Sequence, residues 1–392
     1  MKTYSAFQQL FETYFSANEE SIRVFFAPGR VNIMGEHIDY NGGLVLPAGI
    51  TQGVYIMARK RCDDKIHIQS LFSTLPKIIN IHDPLQYDEK DDWLNYPKGI
   101  FQLLKEKYNC ITALDILIYS DLPTASGLSS SAALELALAY TMWHMNGSNI
   151  PLDLLTLAVD CQRVENNFIG VQCGIMDQAA IALAQKDKAL LLNCTTLTFK
   201  HIPFSLGAYT LVIMNTNKPR SLIHSAFNER RSQCENALQL LQNKWDIQNL
   251  CEAIEEQLEI LSDPVLFKRA KHVITENDRV LKMCNFLENG DMIQAGKILN
   301  QSHLSLKDDY EVSCDELDEL VFWAQKNIHC VGARMTGAGF GGCAIAFVES
   351  EHYISFVNSV SEKYNVKFLI PATFYKAEIS AGLRELFIND YL

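Results

Sequence analysis

The 392-residue sequence lacks any long run of Lys or Arg, and its formal net charge is −12. Nucleic acid and anionic membranes both demand a basic patch, so neither is expected as a partner. A phosphorylated small molecule needs only local positive potential and stays open. No stretch approaches ~18 uninterrupted apolar residues, so a membrane-spanning helix is not expected. The opening segment MKTYSAFQQLFETYFSANEES has no continuous apolar core and does not read as a signal peptide. Eleven cysteines occur without one Cys-x-x-Cys pair. An odd count without framework spacing points to reduced thiols and a cytoplasmic location, not to disulfides or structural zinc. His67, His82, His201, His303 and His329 lack metal-ligand spacing and read as surface or core histidines. Repeats and low-complexity segments are absent. So are a Walker A loop and a His-Arg-Asp loop, which excludes a P-loop NTPase and a protein kinase.

What is present is ordinary soluble composition, 48% hydrophobic and 20% charged, at a length that favours two domains. Strand-like runs (SIRVFFA, GVYIMARK, KIHIQSLF with Ser70 near its end, ALDILIYSDLP) alternate with helical ones (YPKGIFQLLKEKYN, SSAALELALAYTMWHMNG, DLLTLAVDCQRVENNFIG). After about residue 205 the texture changes. YTLVIMNTN reads as a strand, polar helices follow over 222–327, and CAIAFVES and KFLIPATFYKAEIS supply late strands. These features predict an α+β protein with domains at 1–205 and 206–392, the last strand packing back on the first domain.

Four stretches carry chemistry. FFAPGRVNIMGEHIDYNGGLVLPAGI sets Arg30, Glu36, His37 and Asp39 between apolar runs. Half-buried charges there must satisfy one another or await a polar ligand. SDLPTASGLSSSAALELA turns a strand through a small-residue loop, Ala125–Ser131, into the N-terminus of a buried helix. Free N–H groups, Gly127 and three serines suit a phosphate, although an ordinary serine N-cap explains part of the pattern. MTGAGFGGCAIAF contains Gly-x-Gly-x-x-Gly, but a strand follows it where a dinucleotide fold needs a helix, so a close backbone approach is expected instead. VENNFIGVQCGIMDQAA places Glu165 near a helix end and Asp177 at a helix start, where it also reads as a cap.

GRVNIMGEHIDYNGG, GLSSSAA and MTGAGFGG, in that order, resemble the three motifs of the GHMP small-molecule kinases, the first of them the galactokinase signature. CGIMDQ and NTNKPRSLIHSAFNERR also resemble galactokinase segments, and the likeness covers essentially the whole chain. The resemblance implies a ribosomal-S5-like N-terminal domain, a ferredoxin-like C-terminal domain and an active site between them. It implies ATP-dependent phosphorylation of the galactose C1 hydroxyl, with Mg²⁺. Glu36, His37, Asp39 and the Gly174 backbone would hold the sugar; Asp177 would be the catalytic carboxylate and Arg30 its partner. Ala125, Ser126, Gly127, Leu128, Ser129, Ser130 and Ser131 would wrap the phosphates, with Ser70 near the nucleotide and Trp93 and Tyr96 as aromatic candidates for the adenine. Ser131 and Glu165 would coordinate the metal. A carboxylate paired with arginine is a weak base, so Asp177 is expected to orient the C1 hydroxyl and accept its proton late. Arg230 or Arg231 would help order the sugar loop, and a monomer is expected.

Two positions in the sugar-binding set depart from the family pattern. Ile38 stands where Thr is usual and Phe227 where Tyr is usual. One lost hydrogen bond to a neutral group costs ~0.5–1.5 kcal/mol. Both replacements resemble the N-acetylgalactosamine kinase branch, so a C2-modified galactose is the alternative substrate, whereas NGGLVLP and NTNKPR resemble bacterial galactokinases. A non-catalytic sugar sensor is a further alternative; Ser129, Ser130, Ser131, Glu165 and Asp177, which a sensor could dispense with, are all present.

Overall fold

The computed structural model describes residues 4–16, 19–73, 75–123, 126–147, 151–218 and 223–387, without the side chains of residues 223 and 224. Alternating aromatic and β-branched residues build the first sheet. Its strands are β1 (Arg23–Asn32), β3 (Pro47–Lys60), β4 (Lys65–Ser70), β5 (Lys77–Asn80), β6 (Leu114–Ser120) and β13 (Arg384–Leu386), in the order β13-β1-β3-β6-β4-β5. Only β4 and β6 run parallel. The sheet edge beyond β1 is closed by β13, with Val24 opposite Leu386. β3 starts six residues before the apolar run GVYIMARK, because Pro47–Gly49 pair with the far part of β1 beyond a bulge between Pro28 and Arg30. That bulge is where a proline is tolerated in a strand, and it re-aims Arg30.

The helix α1 (Tyr4–Tyr14) covers one face of this sheet through Phe7 and Phe11. On the other side lie α2 (Asn95–Tyr108), α3 (Ser130–Met145), α4 (Leu154–Val164) and α5 (Met176–Leu183). α3 is apolar nearly all round and correspondingly buried. α4 runs into a π-turn, Glu165–Ile169, which ends at Gly170 with φ +89°. A small sheet of β2 (Leu44–Val45), β7 (Lys188–Asn193) and β8 (Phe199–Pro203) links to the second half.

The C-terminal sheet is antiparallel, β10-β11-β9-β12, from β9 (Tyr209–Asn215), β10 (Cys330–Thr336), β11 (Cys343–Glu349) and β12 (Thr373–Ala377). Its helices are α6 (Ile223–Gln242), α7 (Pro264–Glu288), α8 (Met292–Asp308), α9 (Asp315–Lys326) and α10 (Tyr353–Lys367). In KFLIPATFYKAEIS only the five residues of β12 form a strand, because Pro371 cannot donate to a ladder. One apolar cluster runs from Phe25 through Leu211 to Leu383, across both halves. All eleven cysteines are free thiols. Among the described residues no helix is long and apolar enough to cross a membrane.

Candidate active site

Arg30 leaves the β1 bulge buried, and each nitrogen of its guanidinium makes a hydrogen bond. Nε and Nη2 donate to the two Asp177 carboxylate oxygens, each at 2.8 Å, and Nη1 donates to the Gly127 carbonyl at 2.6 Å. A Cβ on Gly29 would lie 2.4 Å from the Leu122 side chain and 3.0 Å from the Leu128 carbonyl, so the absence of a side chain lets the serine loop pack close against β1. Asp177 sits in the first turn of α5, where the helix dipole favours a carboxylate. The Ser129 hydroxyl also donates to it. Arg30, Asp177, Gly127 and Ser129 are therefore one hydrogen-bonded unit at the start of α3.

Beside that unit lies a cavity of about 180 Å³, lined by Glu36, His37, Asp39, Gly174 and Phe227 among others. Asp39 touches the Gly174 backbone; a Cβ there would fall 1.9 Å from Oδ2. Burial, with Asp177 nearby, pushes the Asp39 carboxyl up to about 7. Glu36 lines the same cavity, but its Oε1 accepts from Thr336 Oγ1 (2.8 Å), the Gly337 amide (2.8 Å) and Arg334 (3.1 Å). Glu36 thus fastens the first half to β10 as well as facing the cavity.

The His37 ring lines the cavity and has a protein partner at each nitrogen. Burial lowers its pKa to about 3, so the ring is neutral, and Nε2 must donate to the Ala338 carbonyl at 3.1 Å. Nδ1 then accepts from Tyr40 at 2.8 Å, and Tyr40 accepts from Tyr310 at 2.8 Å. Both nitrogens are committed to protein. Ile38 is fully buried against Gly43 and does not line the cavity. Phe227 lies across from His37 and Tyr40, with ring centroids 5.7 and 5.2 Å away, and forms the apolar wall.

A second cavity, about 440 Å³, is lined by Ser70, Phe72, Trp93, Tyr96, Ser130 and Ser131. Between the two cavities Ser131 Oγ donates to Glu165 Oε1 at 3.1 Å, and Gln178 holds the other oxygen at 2.7 Å. Burial and the nearby Asp177 raise the Glu165 pKa. These hard oxygen donors, with Glu165 held in one orientation, fit a small hard cation. Gly127 has φ +75°, Ser126 and Leu128 are buried, and Ala125 lies outside the described residues.

Comparison with known proteins resolves the family. Residues 9–60 match the galactokinase galactose-binding signature, 95–185 the GHMP kinase N-terminal domain and 283–366 the GHMP kinase C-terminal domain. The chain is 45% identical to a galactokinase of Enterococcus faecalis, over 94% of this chain and 96% of that one. The chain belongs to the galactokinase family. It is also 42% identical to a galactokinase of Clostridium beijerinckii, over 98% and 100% of the two chains. The crystal structure of Lactococcus lactis galactokinase complexed with galactose superposes with a TM-score of 0.93, at 41% identity and 97% and 99% coverage.

Several residues of this galactokinase-family site escaped the sequence reading. Arg334 and Thr336 alternate along β10, a period-2 signal that places both on one face beside the third glycine motif. Glu276 gave no signal, for it sits in a polar helix. It accepts from the Gly35 and Glu36 amides (3.1 and 3.3 Å) and pairs with Arg279 at 2.7 Å. Burial opposes its charge, but Arg279, His272 and Arg334 outweigh that and hold it down to about 2. Arg231 donates to the Gln172 carbonyl at 3.0 Å, two residues before Gly174, whereas Arg230 bonds the Tyr310 and Glu311 carbonyls.

Proposed function

We propose that this protein transfers the γ-phosphoryl group of ATP to the C1 hydroxyl of galactose, yielding galactose 1-phosphate and ADP. The observation that carries this reading is the unit formed by Arg30, Asp177 and the serine loop, set between a small carboxylate-lined cavity and a larger aromatic one. Galactose fits the first, since a polyol offers hydroxyl donors to Asp39, the free oxygen of Glu36 and Asp177. ATP fits the second, with the adenine against Trp93 and Tyr96 and the phosphates on the amides and hydroxyls of residues 126–131. The galactokinase relatives along the full chain favour galactose over N-acetylgalactosamine. Ile38, packed behind the cavity, removes one of the two reasons for the alternative.

Phosphoryl transfer asks mainly for positioning and charge neutralisation. Asp177, fixed on both oxygens by Arg30, orients the C1 hydroxyl and takes its proton as the bond to phosphorus forms. Arg30 has five guanidinium N–H groups and uses three of them on Asp177 and Gly127, which leaves two that would serve the transferred oxyanion. Ser131 and Glu165 would hold Mg²⁺, which when bound neutralises phosphate charge. Phe227 and the Asp39–Gly174 contact exclude water around the sugar. The chain acts as a monomer in this reading, with one complete site and a division near residue 205.

The test is ADP release with galactose, ATP and Mg²⁺, with product identification by ³¹P NMR. Turnover on galactose should exceed that on N-acetylgalactosamine in kcat/KM. Asp177→Asn should lower kcat about 10²–10⁴-fold while galactose binding persists. Near-normal kcat in that variant would remove Asp177 from the mechanism.

A further inference from the structure

We propose that His329, Glu349 and His352 form a binding site for a divalent transition-metal ion of the zinc type, separate from the cleft. The fold makes a cluster that chain position conceals. His329 precedes β10, Glu349 ends the antiparallel β11, and His352 lies three residues on, in the turn before α10. The Glu349 amide donates to the His329 carbonyl at 2.9 Å, so backbone pairing fixes the two residues side by side.

The donor atoms converge. His329 Nδ1 lies 2.6 Å from Glu349 Oε2, and His352 Nε2 lies 3.8 Å from the same oxygen. The imidazole rings stack, with centroids 3.5 Å apart and planes 16° from parallel, so one ring must turn for both lone pairs, which lie in the ring planes, to meet at a single ion. One ligand atom from each of the three residues lies within 4.8 Å of the others. Zinc–nitrogen and zinc–oxygen bonds of ~2.0–2.1 Å in a tetrahedron put ligand atoms about 3.3 Å apart. The two separations from Glu349 Oε2 bracket that value and need to change by less than about 1 Å, while the two imidazole nitrogens, within 4.8 Å of each other, close by about 1.5 Å at most. Glu351 Oε1, 3.4 Å from His352 Nε2, or a water molecule completes the sphere.

Two imidazoles and a carboxylate select zinc, nickel or copper over magnesium or calcium, which take oxygen ligands. All three side chains are half-buried and open to solvent on one side, so an ion can enter. β10 is seven residues long, which puts this end about 20 Å from Thr336 and the sugar cavity. The bound ion would pin the start of β10 to the turn that launches α10.

Optical titration with Co²⁺, followed by displacement with Zn²⁺, tests the site. Wild-type protein should take up one equivalent more than His352→Asn or His329→Gln, with visible ligand-field bands that both variants lack. Its thermal midpoint should rise with zinc concentration where theirs stays flat. Galactose phosphorylation in Mg²⁺ should be unchanged in the variants. Equal stoichiometry and equal midpoints in wild type and variants would overturn the proposal, leaving only a surface ion pair. Should a variant fold poorly, crystals of the wild type soaked in zinc decide the matter. An anomalous peak among the three side chains supports the site, and peaks only elsewhere reject it.

Discussion

Asp39 carries two constraints that meet in one carboxyl group. Its contact with Gly174 leaves no room for a side chain there. Gly174→Ala should therefore displace Asp39 and raise the KM for galactose at least tenfold, with kcat less affected; steady-state kinetics would show the split. The second constraint is protonation. The folded carboxyl titrates at about 7 against 3.8 in the unfolded chain, because burial and then Asp177 disfavour its charge. The folded state therefore holds the extra proton between those values. The stability this gives is complete below the unfolded pKa and is lost as pH rises through about 7. In the proposed role, galactose displaces the proton to gain an acceptor, so affinity should rise about tenfold from pH 6 to pH 8. Calorimetry in buffers of different ionisation enthalpy should detect proton release; pH-independent affinity without it would contradict this role for Asp39. Residue identities were the most legible part of the site. The ionisable set 30–39, the serine loop and Asp177 announce themselves by charge or spacing in an apolar setting. What the sequence could not reveal was which atoms are already spent. His37 looks available until its two nitrogens are traced to Ala338 and Tyr40.

Elements hold these residues through junctions more than through their interiors. The β1 bulge and the π-turn at Glu165 each bring a group of the candidate site to an irregularity. Periodicity reads regular elements well, as for β6, α2 and α3, and is blind to such irregularities. It missed α10 for a different reason: its buried residues Phe356, Val360 and Tyr364 recur every four positions amid exposed Ile354 and Val366, which blurs the stripe. The junction between Glu36 and β10 is the most exacting. Arg334 is fully buried and bonds the Asn32 and Ile33 carbonyls as well as Glu36. Arg334→Met should strand the Glu36 charge and two carbonyl acceptors, costing about 3–5 kcal/mol. Urea denaturation should show a lower midpoint at unchanged m-value. A midpoint within error of wild type would mean Glu36 is held by Thr336 and Gly337 alone.

At the scale of the whole molecule, the two halves are not independent. The apolar cluster passes from one sheet to the other, and Glu36 and His37 lean on Arg334 and Ala338. A fragment ending near residue 205 should therefore lack a cooperative thermal transition and disperse poorly in amide NMR spectra, even though it contains the serine loop and Asp177. A folded, ATP-binding fragment would show that the first sheet supports itself. The change of texture near residue 205 does not show how much burial the two halves share, since contacts such as Glu36–Arg334 join residues far apart in the chain.

The pairing of β13 with β1 has an outcome for biosynthesis. Until residues 384–386 have been made, the strand carrying Arg30 presents an unsatisfied row of amides and carbonyls along Val24–Phe26. A ribosome-bound chain stalled before that point, or a product of premature termination, exposes a sticky edge that invites pairing between copies. Nonsense alleles late in the coding region would then be lost to aggregation and proteolysis, although every proposed catalytic residue had already been translated.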